Sequence, residues 1–273
     1  MIREDSATAR RYWDALGGIP PALFGVHPMG GGGALEVFYR HYHEVRHFRS
    51  SVPLTAATRF LELGCGNGRW ILSLAPHVGH YTAVDFSPAA LQIARARVAE
   101  SGLDNVEFLE QSLADFTPRL PCDVVYFSGV TQYLHDEEIR SVLERIAPWT
   151  TPVTVIVDRS TVNERRREDY RRDDYWAVFR KPEELAALFA PHGFILASRR
   201  RSYRFLRGGG WWRWKPVAAI AVPLARLTRP LSWQALAAFS LLADGLAPKP
   251  FEGGERSHDF LVFHRNPAGE GRD

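Results

Sequence analysis

Cysteine is nearly missing from this chain, with Cys65 and Cys122 the two thiols among 273 residues. Two isolated thiols build neither a disulfide framework nor a metal cluster, and they fit a reducing, cytoplasmic setting. Long apolar runs are missing too. The richest are Val217 to Leu227, broken by Pro223, and Leu231 to Leu246, and neither reaches the ~20 residues that cross a bilayer. The opening Met1-Ile2-Arg3-Glu4-Asp5 leads into polar sequence, so no signal peptide is expected. Lysine is scarce as well, 3 against 31 arginines, and the net charge is only +3. With alanine and glycine abundant, that bias is the mark of a GC-rich genome and not of a nucleic-acid partner, and none is expected.

What is present suits one large α/β domain with insertions, since 45% of the residues are hydrophobic. The most informative stretch is Phe60-Leu61-Glu62-Leu63-Gly64-Cys65-Gly66-Asn67-Gly68-Arg69-Trp70. An apolar run ends in a carboxylate and three alternating glycines, which reads as a strand entering a tight turn able to approach a small molecule closely. Asp85 stands 17 residues past Gly68, after the second apolar run Tyr81-Thr82-Ala83-Val84. An acid at the end of the second strand can accept hydrogen bonds from both ribose hydroxyls of a nucleoside. Ser87-Pro88 then supplies a helix N-cap and a first-turn proline.

Spacing separates two kinds of nucleoside site. A dinucleotide fingerprint places its third glycine where this chain has Arg69. Glu62, just before the turn, would repel a pyrophosphate but suit a cationic ligand. S-adenosylmethionine, with its sulfonium and ammonium, is such a ligand.

With Glu62 to Gly68 and Asp85 in place, the chain resembles the class I S-adenosylmethionine-dependent methyltransferases over roughly residues 55 to 200. The likeness continues through Asn105-Val106-Glu107-Phe108-Leu109, Asp123-Val124-Val125-Tyr126-Phe127 and Pro182-Glu183-Glu184-Leu185 to Gly193-Phe194. It implies a Rossmann-like α/β fold with a mostly parallel seven-stranded sheet. The organisation expected is a helical N-terminal lid over 1–50, a core of 51–201 plus 258–266, and an insertion at 202–257. By this resemblance, S-adenosylmethionine, leaving as S-adenosylhomocysteine, contacts Glu62, Gly64, Cys65, Gly66, Asn67, Gly68, Asp85, Phe86, Ser112, Leu113 and Ser128. One departure stands out: Ser112 replaces the family's usual aspartate at the adenine, leaving that contact to Ser112 and neighbouring backbone or to Asp115.

Strands are expected near 58–63, 80–84, 105–109, 123–128, 153–158 and 194–200, with His258 to Arg265 closing the sheet. Helices are expected near 67–76, 88–101, 136–147 and 182–191, and another from Leu35 to Arg49 with Leu35, Phe38, Tyr42 and Val45 on one face. Arg165 to Arg167 with Arg171 and Arg172, interleaved with acids, reads as a solvated helix face. Arg199 to Arg201 lack such compensation in the sequence. The insertion opens with Gly208-Gly209-Gly210 and Trp211-Trp212-Arg213-Trp214-Lys215. It reads as a lid or homodimer interface, or as a peripheral contact with the inner membrane face through 208–246.

Methyl transfer needs an aligned nucleophile and, for a hydroxyl, a proton acceptor. At the carboxyl ends of the strands His135 is a candidate general base and equally a helix-end residue, while Asp158 and Arg159 either hold a polyol or form a structural pair. Tyr12, Tyr39, His41, Tyr42, Gln132 and Tyr133 are candidates to line an acceptor pocket. His41, His43 and His47 invite a metal assignment, but His41 lies off the helix face the other two share, and no metal is expected. The segment Phe127 to Leu134, with Val157-Asp158-Arg159-Ser160 and Asp174-Tyr175-Trp176, looks like a bacterial branch of methyltransferase-like proteins associated with surface-polysaccharide genes. It implies O-methylation of a small molecule or glycan in envelope or secondary-metabolite biosynthesis. N- or C-methylation and a non-catalytic cofactor-binding scaffold stay open. Methylation of bases is disfavoured because the segment after the fourth strand lacks the Asn/Asp-Pro-Pro-aromatic signature.

Overall fold

The computed structural model describes residues 4–17, 41, 44–172, 175–201 and 256–266. Helix α1 (Glu4–Gly17) and a short helix α2 over 44–51 precede the sheet. The strands are β1 (Arg59–Leu63), β2 (His80–Asp85), β3 (Val106–Glu110), β4 (Cys122–Ser128) and β5 (Thr150–Asn163). A hairpin, β6 (Glu168–Arg172) and β7 (Tyr175–Phe179), follows, then β8 (Phe194–Arg201) and β9 (Arg256–Arg265). Between strands lie α3 (Ile71–Leu74), α4 (Pro88–Glu100), α5 (Asp136–Ile146) and α6 (Pro182–Phe189).

Seven strands form one sheet in the order β3-β2-β1-β4-β5-β9-β8. β9 runs antiparallel to both neighbours while β1 to β5 are parallel, as the methyltransferase resemblance implied. Leu63 pairs with Val84 on one side and Phe127 on the other, and Phe127 pairs with Asp158. The carboxyl ends of β3, β2, β1 and β4 therefore stop at one level while β5 runs on past it, and that edge is where an open α/β sheet binds its ligands.

Alternating side chains cover the two faces. Phe60, Tyr81, Tyr126 and Phe260 meet Phe48 of α2, Trp70, and Leu91 and Val98 of α4. Leu61, Val125, Phe127 and Phe263 meet Ile139, Val142 and Leu143 of α5 and Leu185 and Phe189 of α6. Phe48 is 1% exposed, and its burial contributes roughly 1.5–3 kcal/mol toward seating α2 on the sheet.

Several expectations change. The helix after the glycine turn is only Ile71–Leu74, because 66–70 form the turn and Pro76 converts the next residues to a 3₁₀ turn. The arginine-rich stretch is not a helix face. Glu168–Arg172 is strand β6, with Glu168 and Tyr170 half-buried and Asp169 and Arg171 exposed, a period of two. Nor is the arginine cluster of β8 uncompensated: Arg199 bonds Asp259 at 2.6 Å and Glu164 at 3.0 Å, and Arg201 also pairs with Glu164. β5 runs through to Asn163 because β9 pairs along it as far as Arg256. Residues 202–255, including the Trp211 to Lys215 cluster, lie outside the described residues, as do Tyr39, Tyr42 and His43. Among the described residues no helix is long and apolar enough to cross a membrane.

Candidate cofactor and acceptor site

The glycine turn lies at the carboxyl end of β1. Gly64, Gly66 and Gly68 have φ of 76°, 53° and 81°, a region that glycine enters at little cost. Each has its own reason to lack a side chain. A Cβ on Gly64 would stand 2.0 Å from Val130, and one on Gly68 would stand 3.0 Å from Ala94, so that glycine brings α4 close to the turn. A Cβ on Gly66 meets nothing within 4 Å, so it would fill space beside the turn. Gly64 and Cys65 donate their N–H groups to the Val84 carbonyl, and Arg97 donates to the Asn67 carbonyl at 3.0 Å.

Asp85 ends β2 and is buried. Its Oδ2 accepts from Gly66 N–H at 2.7 Å and its Oδ1 from Ser87 N–H at 3.0 Å. Burial raises its pKa, while these backbone donors pull it down. Ser87 caps α4 with its hydroxyl accepting from Ala90. Next to Asp85, the ring of Phe86 lies under the guanidinium of Arg10 from α1, at 4.9 Å. After β3, the Ser112 hydroxyl accepts from Ala114 N–H at 3.3 Å, and the Leu113 carbonyl accepts from Arg145 at 2.5 Å. Asp115, three residues on, is exposed.

Glu62 is fully buried behind the turn. Its Oε2 accepts from Tyr81 OH at 2.8 Å, and its Oε1 lacks a hydrogen-bond partner. Burial pushes its pKa up to about 7, against the pull of the nearby Tyr81 and Ser128 hydroxyls. An orphan carboxylate oxygen behind the turn and free space at Gly66 fit S-adenosylmethionine: the turn and Asp85 would hold the nucleoside and Glu62 the cationic side. Bound there, that molecule supplies a methyl group made electrophilic by positive sulfur.

Beyond β4 the chain makes a 3₁₀ turn over Thr131–Tyr133. Arg180, 1% exposed, fastens this turn by donating to the Thr131 and Leu134 carbonyls and to Asp136. Asp158 and Arg159 do not pair. Successive strand residues point to opposite faces, so Asp158 accepts from Thr131 Oγ1 at 2.7 Å and from Ser160 Oγ at 2.6 Å. Burial raises its pKa to about 6, against those two hydrogen bonds. Arg159 turns to the α2 face, where Glu44 receives its Nε at 3.0 Å and Nη2 at 2.6 Å.

The acceptor-side candidates separate into two groups. Gln132 Nε2 donates to Tyr133 OH at 2.6 Å, and Tyr133 OH lies 3.2 Å from Tyr175 OH on the hairpin. Tyr12 and Trp13 of α1 join this group with ring centroids 5.3 Å from Tyr175 and Tyr133 respectively. His41 belongs elsewhere. It faces α3, with Nε2 2.8 Å from Ser73 Oγ and Nδ1 3.4 Å from Arg69. The guanidinium can only donate, so Nδ1 accepts and Nε2–H donates to Ser73. Burial and Arg69 push the His41 pKa down to about 3. His135 precedes α5, its ring against Trp176 with centroids 4.6 Å apart and its Nε2 3.5 Å from Asp5 of α1. Among the described residues no group of three or more His, Cys, Asp and Glu side chains is placed to hold a metal ion.

Sequence reasoning missed Glu44, Thr131, Arg180 and the hairpin residue Tyr175 as parts of the site. Glu44 had one available signal: it is the lone acid in the run from Tyr39 to Arg49, which is rich in arginine and histidine, and it stands four residues before the apolar Phe48.

This strand order, with the glycine turn, Glu62 and Asp85 at the carboxyl edge, defines a Rossmann-like methyltransferase fold. Residues 60–153 match the family model described as a methyltransferase domain. The chain is 27% identical over 208 residues to a ubiquinone biosynthesis O-methyltransferase of Azorhizobium caulinodans, covering 70% of this chain and 78% of that one. It is 32% identical over 107 residues to phosphoethanolamine N-methyltransferase 1 of Triticum aestivum, covering 37% of this chain but only 21% of that protein. In fold it matches an S-adenosylmethionine-dependent methyltransferase of Geobacter sulfurreducens solved with S-adenosylhomocysteine, at TM-score 0.51 and 17% identity, covering 82% of this chain and 90% of that one. Residues 60–153 thus carry a methyltransferase domain, and the matched methyltransferases and the neighbour solved with S-adenosylhomocysteine support S-adenosylmethionine as its cofactor.

Proposed function

We propose that the chain O-methylates a hydroxyl of a small molecule or glycan in bacterial envelope or secondary-metabolite biosynthesis. The observation that carries the reading is the neutral chain Gln132 Nε2 to Tyr133 OH to Tyr175 OH beyond β4. Uncharged donors and acceptors suit a neutral hydroxyl, and the edges of Tyr12, Trp13, Tyr133 and Tyr175 suit the carbon skeleton carrying it. Similarity to an O-methyltransferase over most of both chains supports the same direction.

Elimination favours His135 as proton acceptor. Both Asp158 oxygens already accept hydrogen bonds, Glu44 is held by two arginines, and Glu62 lies behind the glycine turn. His135 is the remaining candidate base, its buried Nε2 3.5 Å from Asp5 without a hydrogen bond to it.

Transfer of a labelled methyl from S-adenosylmethionine to a panel of catechols, methyl glycosides and phosphoethanolamine tests the reading. Label in catechols or glycosides is expected, whereas label confined to the amine would establish N-methylation instead.

A further inference from the structure

Three side chains from three elements hold the glycine turn: Asp85 on the Gly66 N–H, Arg97 on the Asn67 carbonyl, and Glu44 on Arg69 at the exit of the turn. Glu44 differs from the other two because it also holds Arg159. Its Oε2 receives Arg69 Nη1 at 2.7 Å while its Oε1 receives Arg159. Glu44 is 0% exposed, and Phe48, one turn later on the same face of α2, is wedged among Phe60, Trp70, Tyr126 and Phe260. The arginines are confined in turn. Arg69 lies on the Trp70 ring at 4.8 Å, and Arg159 fills the space that a Gly129 side chain would need, its Nη1 3.2 Å from that Cβ position. Gly129, at φ 78°, starts the segment leading to Gln132 and Tyr133.

We propose that Glu44 is a positioning residue that couples the cofactor turn to the acceptor-side segment: one buried carboxylate fixes Arg69 at the turn and Arg159 against Gly129. The link to cofactor rests on the methyltransferase assignment; the clamp itself rests on the contacts alone. Arg97 is the internal comparison, since it holds the same turn without reaching β5.

The test combines S-adenosylhomocysteine calorimetry with residue-resolved hydrogen exchange on the full chain. Glu44→Gln is expected to weaken binding about tenfold and to lower protection at both 64–69 and 129–132, whereas Arg97→Met lowers it at 64–69 only. Unchanged binding with lost protection confined to 44–51 would overturn the proposal. Removing the carboxylate that two buried arginines share can unfold the single variant, so the apolar replacement Glu44→Met/Arg69→Met/Arg159→Met is the second arm. A coupling role predicts a folded triple variant with weakened binding and both segments deprotected; wild-type binding by it would show the cluster to be structural. If the wild type itself bound no S-adenosylhomocysteine, the cofactor assignment would fail while the exchange measurement still decided the clamp.

Discussion

The Asp85 carboxylate accepts the Gly66 N–H at 2.7 Å across 19 positions of sequence, so the acid that ends β2 also shapes the turn that ends β1. Asp85 has a second oxygen on Ser87 N–H, which starts α4. One side chain thereby sets the turn and the following helix at the edge where a nucleoside would lie.

The glycines of the turn should respond differently to the same substitution. Gly64→Ala puts a methyl 2.0 Å from Val130 at a positive φ, and we expect a loss of roughly 2–4 kcal/mol. Gly66→Ala has the strain without the contact and should cost about 1–2 kcal/mol. Thermal melts should therefore show Gly66→Ala folded and Gly64→Ala severely destabilised. Calorimetry on folded Gly66→Ala should show cofactor-product binding lost, since the methyl occupies the space beside the turn. Equal melting losses would contradict the difference in packing.

Glu62 makes stability pH-dependent in a defined direction. Its pKa rises from the ordinary 4.5 to about 7, so between those values the native state keeps a proton the unfolded chain has lost. Stability from this group therefore falls as pH rises through that window, by roughly 3 kcal/mol. Asp158, at about 6, tilts the curve the same way, and His41, lowered to about 3, tilts it oppositely. Glu62→Gln isolates the first effect. Its melting temperature should gain on wild type steadily from pH 5 to 8, and parallel curves would remove the buried acid from the account.

For His135, substitution by Ala should lower turnover on the acceptor by about 10² while S-adenosylhomocysteine affinity stays at the wild-type value. Turnover equal to wild type would assign the ring to the interface with Trp176 and Asp5 alone.

The donor half of the site was legible because its chemistry is local. Glu62, the three glycines and Asp85 lie within 24 consecutive residues, and parallel β1–β2 pairing brings them together without help from elsewhere. The acceptor half was less legible because it depends on contacts across the chain. Asp158 and Arg159 are adjacent in sequence, yet pleating sends one to Thr131 and the other 115 positions away to Glu44. The β6–β7 hairpin was hidden for another reason. Half-buried Glu168 and Tyr170 alternate with exposed Asp169 and Arg171, and so charge-rich a composition masks the period of two that marks a strand.

The central claim is that the turn and Asp85 hold S-adenosylmethionine. Titration of the wild-type chain with S-adenosylhomocysteine, beside Asp85→Ala, tests it most directly. We predict micromolar binding, about −8 kcal/mol, for the wild type and none for folded Asp85→Ala. A folded wild type that binds no S-adenosylhomocysteine, or an Asp85→Ala variant that binds it equally well, would contradict the assignment.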